Sequence, residues 1–369
     1  MKGFFLSIGK SVETDFSGIG IKVKNQMKAF NNAGLQCEEY VMPLSNSPLF
    51  SLLYRLPFLN VYPIWKYNEV FNKIDYIYMR RPFVMNINMR MMLKEVRRHN
   101  PRIKIIVELP TYPYDEEYKT YKLHNLLLQK DKYNRTKMYG LVDRFAILTD
   151  ESEVFGIPTI KIKNGIDIEQ IKKRSPLRSD DETINICAVA MFKEWHGYER
   201  LINGVYEYYK KNGTRKIIFH FVGEGSELNT YRKLVEELSL SDHFVFYGFM
   251  NNKDLDMIYD KCRLALGTFG MYKKNIDLSC DLKSREAVAR GIPMVTGCKT
   301  DIFIKEKYSY FYEFPNDSSI LDIQKIVEFY DSIYKFRDEG TVIDEICDYA
   351  KKNISMDDAM KNVIDYFCM

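Results

Sequence analysis

A lysine and a glutamate three residues apart, Lys283 and Glu286, have the types and spacing to bind the two ends of a nucleotide. They lie in residues 278–295 (LSCDLKSREAVARGIPMV), where a helix-compatible run over 282–290 is followed by a glycine and a proline that end helices. Residues three apart share one helix face, here near the N-terminus. A helix N-terminus with a lysine suits a phosphate, and a carboxylate one turn further suits two ribose hydroxyls. The alternative is an exposed Lys–Glu pair worth roughly 0.3 kcal/mol.

Two glycine turns, one in each half of the chain, also have ligand-binding character. Each follows a short apolar run and precedes a helix-compatible segment, which is how a βαβ unit begins. Glycines in such a turn let the backbone approach a ligand closely, and a plain tight turn is the alternative. The residues of these turns are Gly18 and Gly20 in the first half, and Gly223, Glu224 and Gly225 in the second.

The elements that must position these residues are strands and helices in alternation. Apolar runs predict strands over 3–8, 37–42, 75–79, 103–107, 144–148, 159–162, 184–189, 217–222, 244–247, 264–266 and 294–296. Helical spacing predicts helices over 21–32, 88–98, 118–139, 198–209 and 282–290, and throughout the last 30 or so residues. Two βα series of this kind predict an α/β protein with two Rossmann-like domains facing across a cleft. We expect the first domain over 1–167, a charged linker over 168–183 and the second domain over 184–340.

Composition excludes several classes of protein. The chain has 369 residues, 46% of them hydrophobic, which suits two well-buried cores. We find no apolar run long enough to cross a membrane and expect no signal peptide at the N-terminus. Seven scattered cysteines and five histidines form no metal-ligand pattern, so we predict reduced cytoplasmic thiols, no metal and no cofactor.

Charge is distributed unevenly between the halves. Residues 1–165 carry 25 Lys and Arg against 16 Asp and Glu, and the remainder carries 29 against 34. The aromatic and basic segment 48–67 could lie on an anionic bilayer surface. A loop folded over the domain core, with ordinary surface charge, is the alternative. No nucleic-acid-binding motif is present, so we expect no nucleic acid as partner.

Several short motifs, in this order, resemble those of the retaining GT-B glycosyltransferases, family 4 in particular. The matching segments are 164–167 (NGID), 188–202 (AVAMFKEWHGYERLI), 221–225 (FVGEG), 247–249 (YGF), 286–293 (EAVARGIP) and 354–356 (ISM). Each motif is short, whereas the ordered set over about 160–300 is fairly specific.

The resemblance implies a GT-B fold in which an N-terminal domain binds the acceptor and a C-terminal domain binds the nucleotide sugar. It implies that helices over 341–369 return to the N-terminal domain. The implied activity is metal-independent transfer of a sugar, with retention, from a nucleoside diphosphate sugar to an acceptor hydroxyl. The implied setting is bacterial polysaccharide or glycoconjugate synthesis in the cytoplasm, with a lipid-linked glycan as acceptor at the inner membrane face.

The resemblance also assigns residues. Glu286 would hold the donor ribose, and Lys193 and Lys283 would contact the diphosphate, since Met191 and His196 replace the family's usual Arg and Lys. His196 is a second candidate for the diphosphate. The other donor-side candidates are Gly18, Gly20, Gly223, Glu224, Gly225, Gly248, Phe249 and Ser284. On the acceptor or sugar side the candidates are Glu108 and Tyr112, in a loop that follows a predicted strand.

Two other functions stay open at this point. One is a GT-B sugar-nucleotide 2-epimerase, and the other is a non-catalytic protein that binds a sugar nucleotide. The donor base, the sugar, the linkage, the acceptor and the oligomeric state are not determined by the sequence.

Overall fold

The computed structural model describes residues 1–15, 17–42, 65–120, 124–177, 183–303 and 308–369. They form two compact units, Met1–Gly165 with Met356–Met369 (unit 1) and Ile166–Ser355 (unit 2). We expected the returning segment to begin at 341, but the helix Glu339–Asn353 belongs to unit 2, and only the final helix belongs to unit 1. The described part of the expected linker, 168–177 with residue 183, also belongs to unit 2.

The strands and helices alternate as the apolar runs predict. In chain order the described strands are β1 Lys2–Ile8, β2 Gln36–Met42, β3 Tyr76–Arg80, β4 Lys104–Leu109, β5 Arg144–Ile147, β6 Glu153–Val154, β7 Ile157–Lys161, β8 Ile184–Val189, β9 Ile217–Val222, β10 Phe244–Gly248, β11 Leu264–Leu266, β12 Leu278–Ser279, β13 Met294–Thr296, β14 Lys299–Thr300 and β15 Phe311–Glu313. The described α-helices are α1 Gly18–Asn32, α2 Ile87–His99, α3 His124–Arg135, α4 Tyr198–Lys210, α5 Leu228–Glu237, α6 Asn252–Lys261, α7 Leu282–Ala289, α8 Ile323–Tyr334, α9 Glu339–Asn353 and α10 Met356–Cys368.

Unit 1 is built on a sheet of order β2-β1-β3-β4-β5-β7-β6, parallel except for the pair β6 and β7. The chain leaves β1 toward β2 and then crosses to β3 on the other side, so the carboxyl ends of β1 and β3 flank a topological switch point. The returning helix α10 packs on this unit. Gln26 Nε2 lies 3.5 Å from Met360 Sδ, and Lys104 Nζ donates to the backbone carbonyls of Tyr366 and Phe367 at 3.1 and 2.9 Å.

Unit 2 is built on a parallel sheet of order β10-β9-β8-β11-β13-β15. This is the Rossmann order, and its switch point lies between β8 and β11. The central strands are buried on both faces, which explains their nearly continuous apolar sequences. Ile186, Phe219, Phe221 and Leu264 are each fully buried in this core.

Two helix predictions differ from the structure. The helix expected from residue 21 begins at Gly18, because Ser17 Oγ accepts the Gly20 N–H at 3.2 Å and caps the first turn. The long helix expected over 118–139 is a short 3-10 turn, Asp115–Thr120, and helix α3.

Two features bear on membranes. In the described ranges, no helix is long and apolar enough to span a bilayer. Residues 48–64 of the segment predicted to lie on a membrane surface are outside the described residues. Trp65, which belongs to the same segment, is buried in the core of unit 1.

Candidate active site

The loops that follow β8, β9 and β10 are joined at the carboxyl edge of the unit 2 sheet. The Gly223 N–H donates to the Gly248 carbonyl at 2.7 Å, and the Phe192 N–H donates to the Glu224 carbonyl at 2.6 Å. These bonds bring the glycine turn after β9 against both neighbouring loops. In an open parallel sheet this edge, at the switch point, is where ligands bind.

The glycines of this turn are required for packing within the protein. Gly223 and Gly225 have φ of +123° and +149°, which disfavour any other residue. A Cβ at Gly223 would overlap the carbonyl oxygen of Ala190, and one at Gly225 would overlap that of Phe192. We expected these glycines to let the backbone approach a ligand. At Gly223 and Gly225 the backbone instead approaches the loop after β8.

A pair of alanine substitutions separates the cost of the positive φ from the cost of the steric overlap. Gly225→Ala should lower the free energy of unfolding by about 2–5 kcal/mol, because strain at φ and a backbone clash add together. Gly248→Ala is the matched control, since Gly248 has φ of +72° but open space where a Cβ would stand, and should cost about 1–2 kcal/mol. Thermal unfolding of the full chain compares them, and equal losses would contradict the packing role of Gly225.

The Lys283 side chain places its ammonium in a buried position at the start of helix α7. The helix is capped by Asp281, whose Oδ1 accepts the Ser284 N–H at 2.7 Å. The Lys283 Nζ is buried and has no hydrogen-bond partner among the described residues. Burial lowers the pKa of Lys283 to about 8, although the nearby Asp281 charge opposes that shift. A buried ammonium without a partner is unfavourable, so this position is suited to an incoming anion.

His196 is a neutral hydrogen-bonding group beside Lys283. It is buried, its Nδ1 accepts the Lys193 N–H at 2.9 Å, and its carbonyl accepts the Phe269 N–H at 2.8 Å. Burial and the charge of Lys283 lower the pKa of His196 to about 3. His196 is therefore uncharged at neutral pH, and any contact with the diphosphate would be a hydrogen bond of the neutral ring. Nδ1 also lies 3.1 Å from the Lys193 carbonyl, so it bonds one or the other backbone group according to the tautomer. In the tautomer in which Nδ1 accepts, Nε2 carries a proton that can be donated.

Glu286 is half-buried, and its carboxylate has neither a hydrogen bond nor an ion pair among the residues described. Burial raises its pKa, the Arg290 charge opposes this shift, and Asp281 adds to it. Lys283 and Glu286 thus do not form the exposed ion pair that was the alternative interpretation of their spacing. Both keep free hydrogen-bonding capacity on one helix.

The other donor-side candidates differ in accessibility. Glu224 is exposed and the Phe249 side chain is 78% exposed, so both can meet a ligand at this edge. Ser284 is buried, and its N–H is occupied by the Asp281 cap. Gly18 and Gly20 lie in the first turn of α1, within unit 1.

Glu108, a candidate for the sugar or acceptor side, is buried in unit 1. Its carboxylate accepts from Lys22 Nζ at 3.2 Å, Gln26 Nε2 at 2.7 Å and the Tyr78 hydroxyl at 2.8 Å. Burial alone would raise the pKa of Glu108, but the charges of Lys22 and Arg80 and these bonds hold it below its usual value. The acid therefore positions its neighbours. Tyr112 is partly buried, and its ring packs edge-on against Phe155 at 6.0 Å.

Three polar groups that sequence reasoning did not select stand out in the structure. Asp281 caps α7 and acts electrostatically on both Lys283 and His196. Ser7 and Arg80 lie at the carboxyl ends of β1 and β3. The one feature of the sequence that could have pointed to Ser7 and Arg80 is their position at the ends of predicted strands. Within the described ranges no group of three or more His, Cys, Asp or Glu side chains could hold a metal ion.

Comparison with known proteins agrees with this geometry. Residues 167–271 match the family described as Glycosyl transferases group 1. The structure is similar to sucrose-phosphate synthase from Thermosynechococcus elongatus, with a TM-score of 0.63 and 14% identity, over 100% of this chain and 99% of the other. The fold is GT-B.

Two further structures share this fold. The apo form of the lipopolysaccharide outer core galactosyltransferase WaaB has a TM-score of 0.57 and 14% identity, with 100% of each chain covered. Anabaena HepE in complex with UDP has a TM-score of 0.58 and 13% identity, again with 100% of each chain covered. No curated protein matches the sequence. The predicted GT-B fold, with its returning C-terminal helix, is confirmed, and the family match and the fold together support a glycosyltransferase.

Proposed function

We propose that this protein is a retaining, family 4-like glycosyltransferase that moves a hexosyl group from a nucleoside diphosphate sugar to an acceptor hydroxyl. The observation that carries this proposal is the buried Lys283 ammonium, which has no partner in the described structure. Lys283 lies in unit 2, which has the Rossmann strand order. Residues 167–271 of the same unit match a glycosyltransferase family, and Lys283 follows that matched segment in sequence. UDP in the HepE complex supports a nucleotide as the missing partner.

The chemistry follows from where charge develops. When the anomeric C–O bond of the donor breaks, its electron pair goes to the diphosphate, which leaves with added negative charge. Lys283 and the N-terminus of α7 are fixed donors for that charge, and His196 Nε2 can add a neutral hydrogen bond. Lys193 is a second candidate cation, since it follows the loop after β8. Glu286 would accept hydrogen bonds from the ribose.

Retention and metal independence rest on the resemblance of the ordered set of motifs over about 160–300 to the family. Nuclear magnetic resonance of the product would show the same anomeric configuration as the donor, and EDTA would leave the rate unchanged. Inversion, or loss of activity that Mg²⁺ restores, would contradict these two parts of the proposal.

We propose a lipid-linked glycan as acceptor, in bacterial polysaccharide or glycoconjugate synthesis at the inner face of the membrane. The support is the resemblance, the basic first half of the chain and the printed function of the neighbour WaaB. Contact with the membrane would use the aromatic and basic segment 48–67, most of which lies outside the described residues.

Thermal shifts with nucleotides test the donor site. UDP or GDP should raise the unfolding temperature, because a ligand at 100 times its Kd stabilises the native state by about 2.7 kcal/mol. Lys283→Met should remove most of the shift, and Lys233→Met, on an exposed position of α5, should keep it. No shift with any nucleoside diphosphate would contradict the proposal. Acceptor-dependent release of nucleoside diphosphate distinguishes transfer from epimerisation and from binding without turnover.

A further inference from the structure

Unit 1 contains a cavity of about 380 Å³ at the carboxyl edge of its sheet. Its walls come from β1, the loop that leads into α1, the first two turns of α1, the end of β3 and the segments after β3 and β4. Gly20, one of the donor-side candidates, is among the lining residues. The cavity thus lies at the switch point between β1 and β3, where open α/β sheets bind ligands. Neither Glu108 nor Tyr112, the acceptor-side candidates from the sequence, lines it.

Arg80 lines this cavity with unused donors. Its guanidinium makes no hydrogen bond in the described parts of the chain, and its Nη1 is buried without a partner. The Glu108 Oε1 lies 3.7 Å from Arg80 Nε, too far for a hydrogen bond. That same carboxylate is already shared with Lys22 Nζ at 3.2 Å. One buried negative charge therefore faces two cations, which leaves a single positive charge in excess.

The other charges around the cavity largely cancel. Arg81 forms an ion pair with Glu117, and its guanidinium stacks on the Tyr114 ring at 3.7 Å. Hydrogen bonds from Ser17 lower the pKa of the Asp15 carboxyl, and Lys10 lies close enough to lower it further. The excess charge of the cavity is therefore localised on Arg80.

Ser7 provides a second unused group. Its hydroxyl is buried, has no partner among the residues described, and lines the same cavity from β1. Strands β1 and β3 are adjacent and parallel, with Leu6 opposite Met79, so Ser7 and Arg80 occupy neighbouring positions at the strand ends. A guanidinium and a hydroxyl side by side suit the oxygens of one singly charged oxyacid.

We propose that this cavity binds an acidic group of the acceptor, a carboxylate or a phosphodiester on a glycan, through Arg80 and Ser7. The assignment to an acceptor rests on the proposed transferase function, whereas the anion site rests on the Arg80 guanidinium and the Ser7 hydroxyl, which make no hydrogen bond among the described residues. A monoanion is the match because the excess charge is one. The proposed contact of the donor diphosphate is a different cation, Lys283 in unit 2, whose Nζ has no hydrogen-bond partner among the described residues.

Binding of matched small probes to the full chain tests this proposal. Methyl β-glucuronide supplies a carboxylate, glycerophosphoglycerol a phosphodiester, and methyl β-glucoside neither. One acidic probe should bind at least about tenfold more tightly than the glucoside, as expected for a charge-assisted hydrogen bond. Arg80→Gln should abolish that preference, Arg80→Lys should retain part of it and Ser7→Ala should weaken it. Which acidic probe binds distinguishes the carboxylate from the phosphodiester. Titrations followed by nuclear magnetic resonance measure the affinities.

Arg98→Gln is the matched control, because Arg98 is 67% exposed on α2, where it pairs with Glu95 at 2.8 Å and lies 3.4 Å from Nε2 of His99. It should leave every affinity unchanged, and thermal unfolding should show that the Arg80 variants are folded. Equal binding of all three probes would overturn the proposal. So would a loss of UDP binding in Arg80→Gln without a loss of acidic-probe binding, because Arg80 would then serve the donor. If Arg80 selects the acidic probe but no nucleotide binds, the anion site stands and its assignment to an acceptor is overturned.

Discussion

Replacing Lys283 with methionine should lower the rate of sugar transfer by about 10²-fold, the effect of removing one preorganised donor from a developing negative charge. Methionine keeps most of the side-chain volume, so the packing around α7 should survive. The Lys283 ammonium has no partner in the described structure, which means that its removal breaks no internal hydrogen bond. Single-turnover kinetics with saturating donor measure the loss in the chemical step.

The same substitution should keep or raise the thermal stability of the free protein at pH 7. Burial lowers the pKa of Lys283 from 10.5 to about 8, so the unfolded state binds its proton more tightly than the native state does. The stability of the wild type therefore increases as pH rises from about 8 to 10.5, and below pH 8 the penalty is fully present. Methionine removes that penalty. The stability difference between the variants should thus shrink above pH 10.

Affinity for the nucleotide should fall as pH rises, whereas the stability of the free protein should increase. A bound diphosphate favours the charged ammonium, so binding above pH 8 requires proton uptake by Lys283. The Kd of UDP or GDP should then rise by up to about tenfold per pH unit above that point. Lys283→Met should show a flat profile. In this variant the pKa of His196 should rise, because the Lys283 charge is one cause of its low value.

Lys233→Met is again the control, since Lys233 is an exposed lysine on the same unit. Unchanged turnover in Lys283→Met would remove Lys283 from the site. A matched loss of stability and activity would instead assign it a structural role. If Lys283→Met loses activity but folds at least as stably as the wild type, then Lys283 binds a ligand and its burial lowers the stability of the free protein.

Much of the fold could be predicted from the sequence because buried parallel strands carry their own signal. The apolar runs at 184–189, 217–222, 264–266 and 294–296 coincide with β8, β9, β11 and β13. Such strands are covered on both faces, so their sequences contain little but apolar residues. The start of α1 was less predictable, since a serine cap outweighed the two glycines that indicated a loop.

The placement of Lys283 and Glu286 on one helix was predictable, but the electrostatics of the candidate site were not. Spacing placed Lys283 and Glu286 on one helix, yet it could not show that the lysine is buried or that the two do not pair. The neutral state of His196 depends on burial and on a cation far away in sequence. Glu108 begins the loop that follows the strand predicted over 103–107, but three side chains from other elements enclose it. These properties arise from tertiary contacts that no local pattern encodes.

Glu286 should determine whether the protein distinguishes ribose from deoxyribose. Its half-buried carboxylate has no partner in the described residues, so it can accept from both hydroxyls of a donor ribose. Hydrogen bonds to a charged group contribute about 1.5–3 kcal/mol, so the wild type should bind the ribonucleotide about 10- to 100-fold more tightly than its 2′- or 3′-deoxy analogue. Glu286→Ala should bind all three with nearly equal affinity. Isothermal titration of each nucleotide measures this selectivity.

Comparing the nucleotides in pairs separates recognition from structural support. Glu286 also interacts electrostatically with Arg290, so its loss could simply loosen helix α7. In that case Glu286→Ala would weaken ribonucleotide and deoxynucleotide binding by the same factor, and the ribose assignment would fail. Glu236→Gln, at an exposed position of α5, should change neither affinity. Because burial raises the pKa of Glu286, the ribose preference should also weaken as pH falls toward that pKa, whereas binding of the deoxy analogues should lack this dependence.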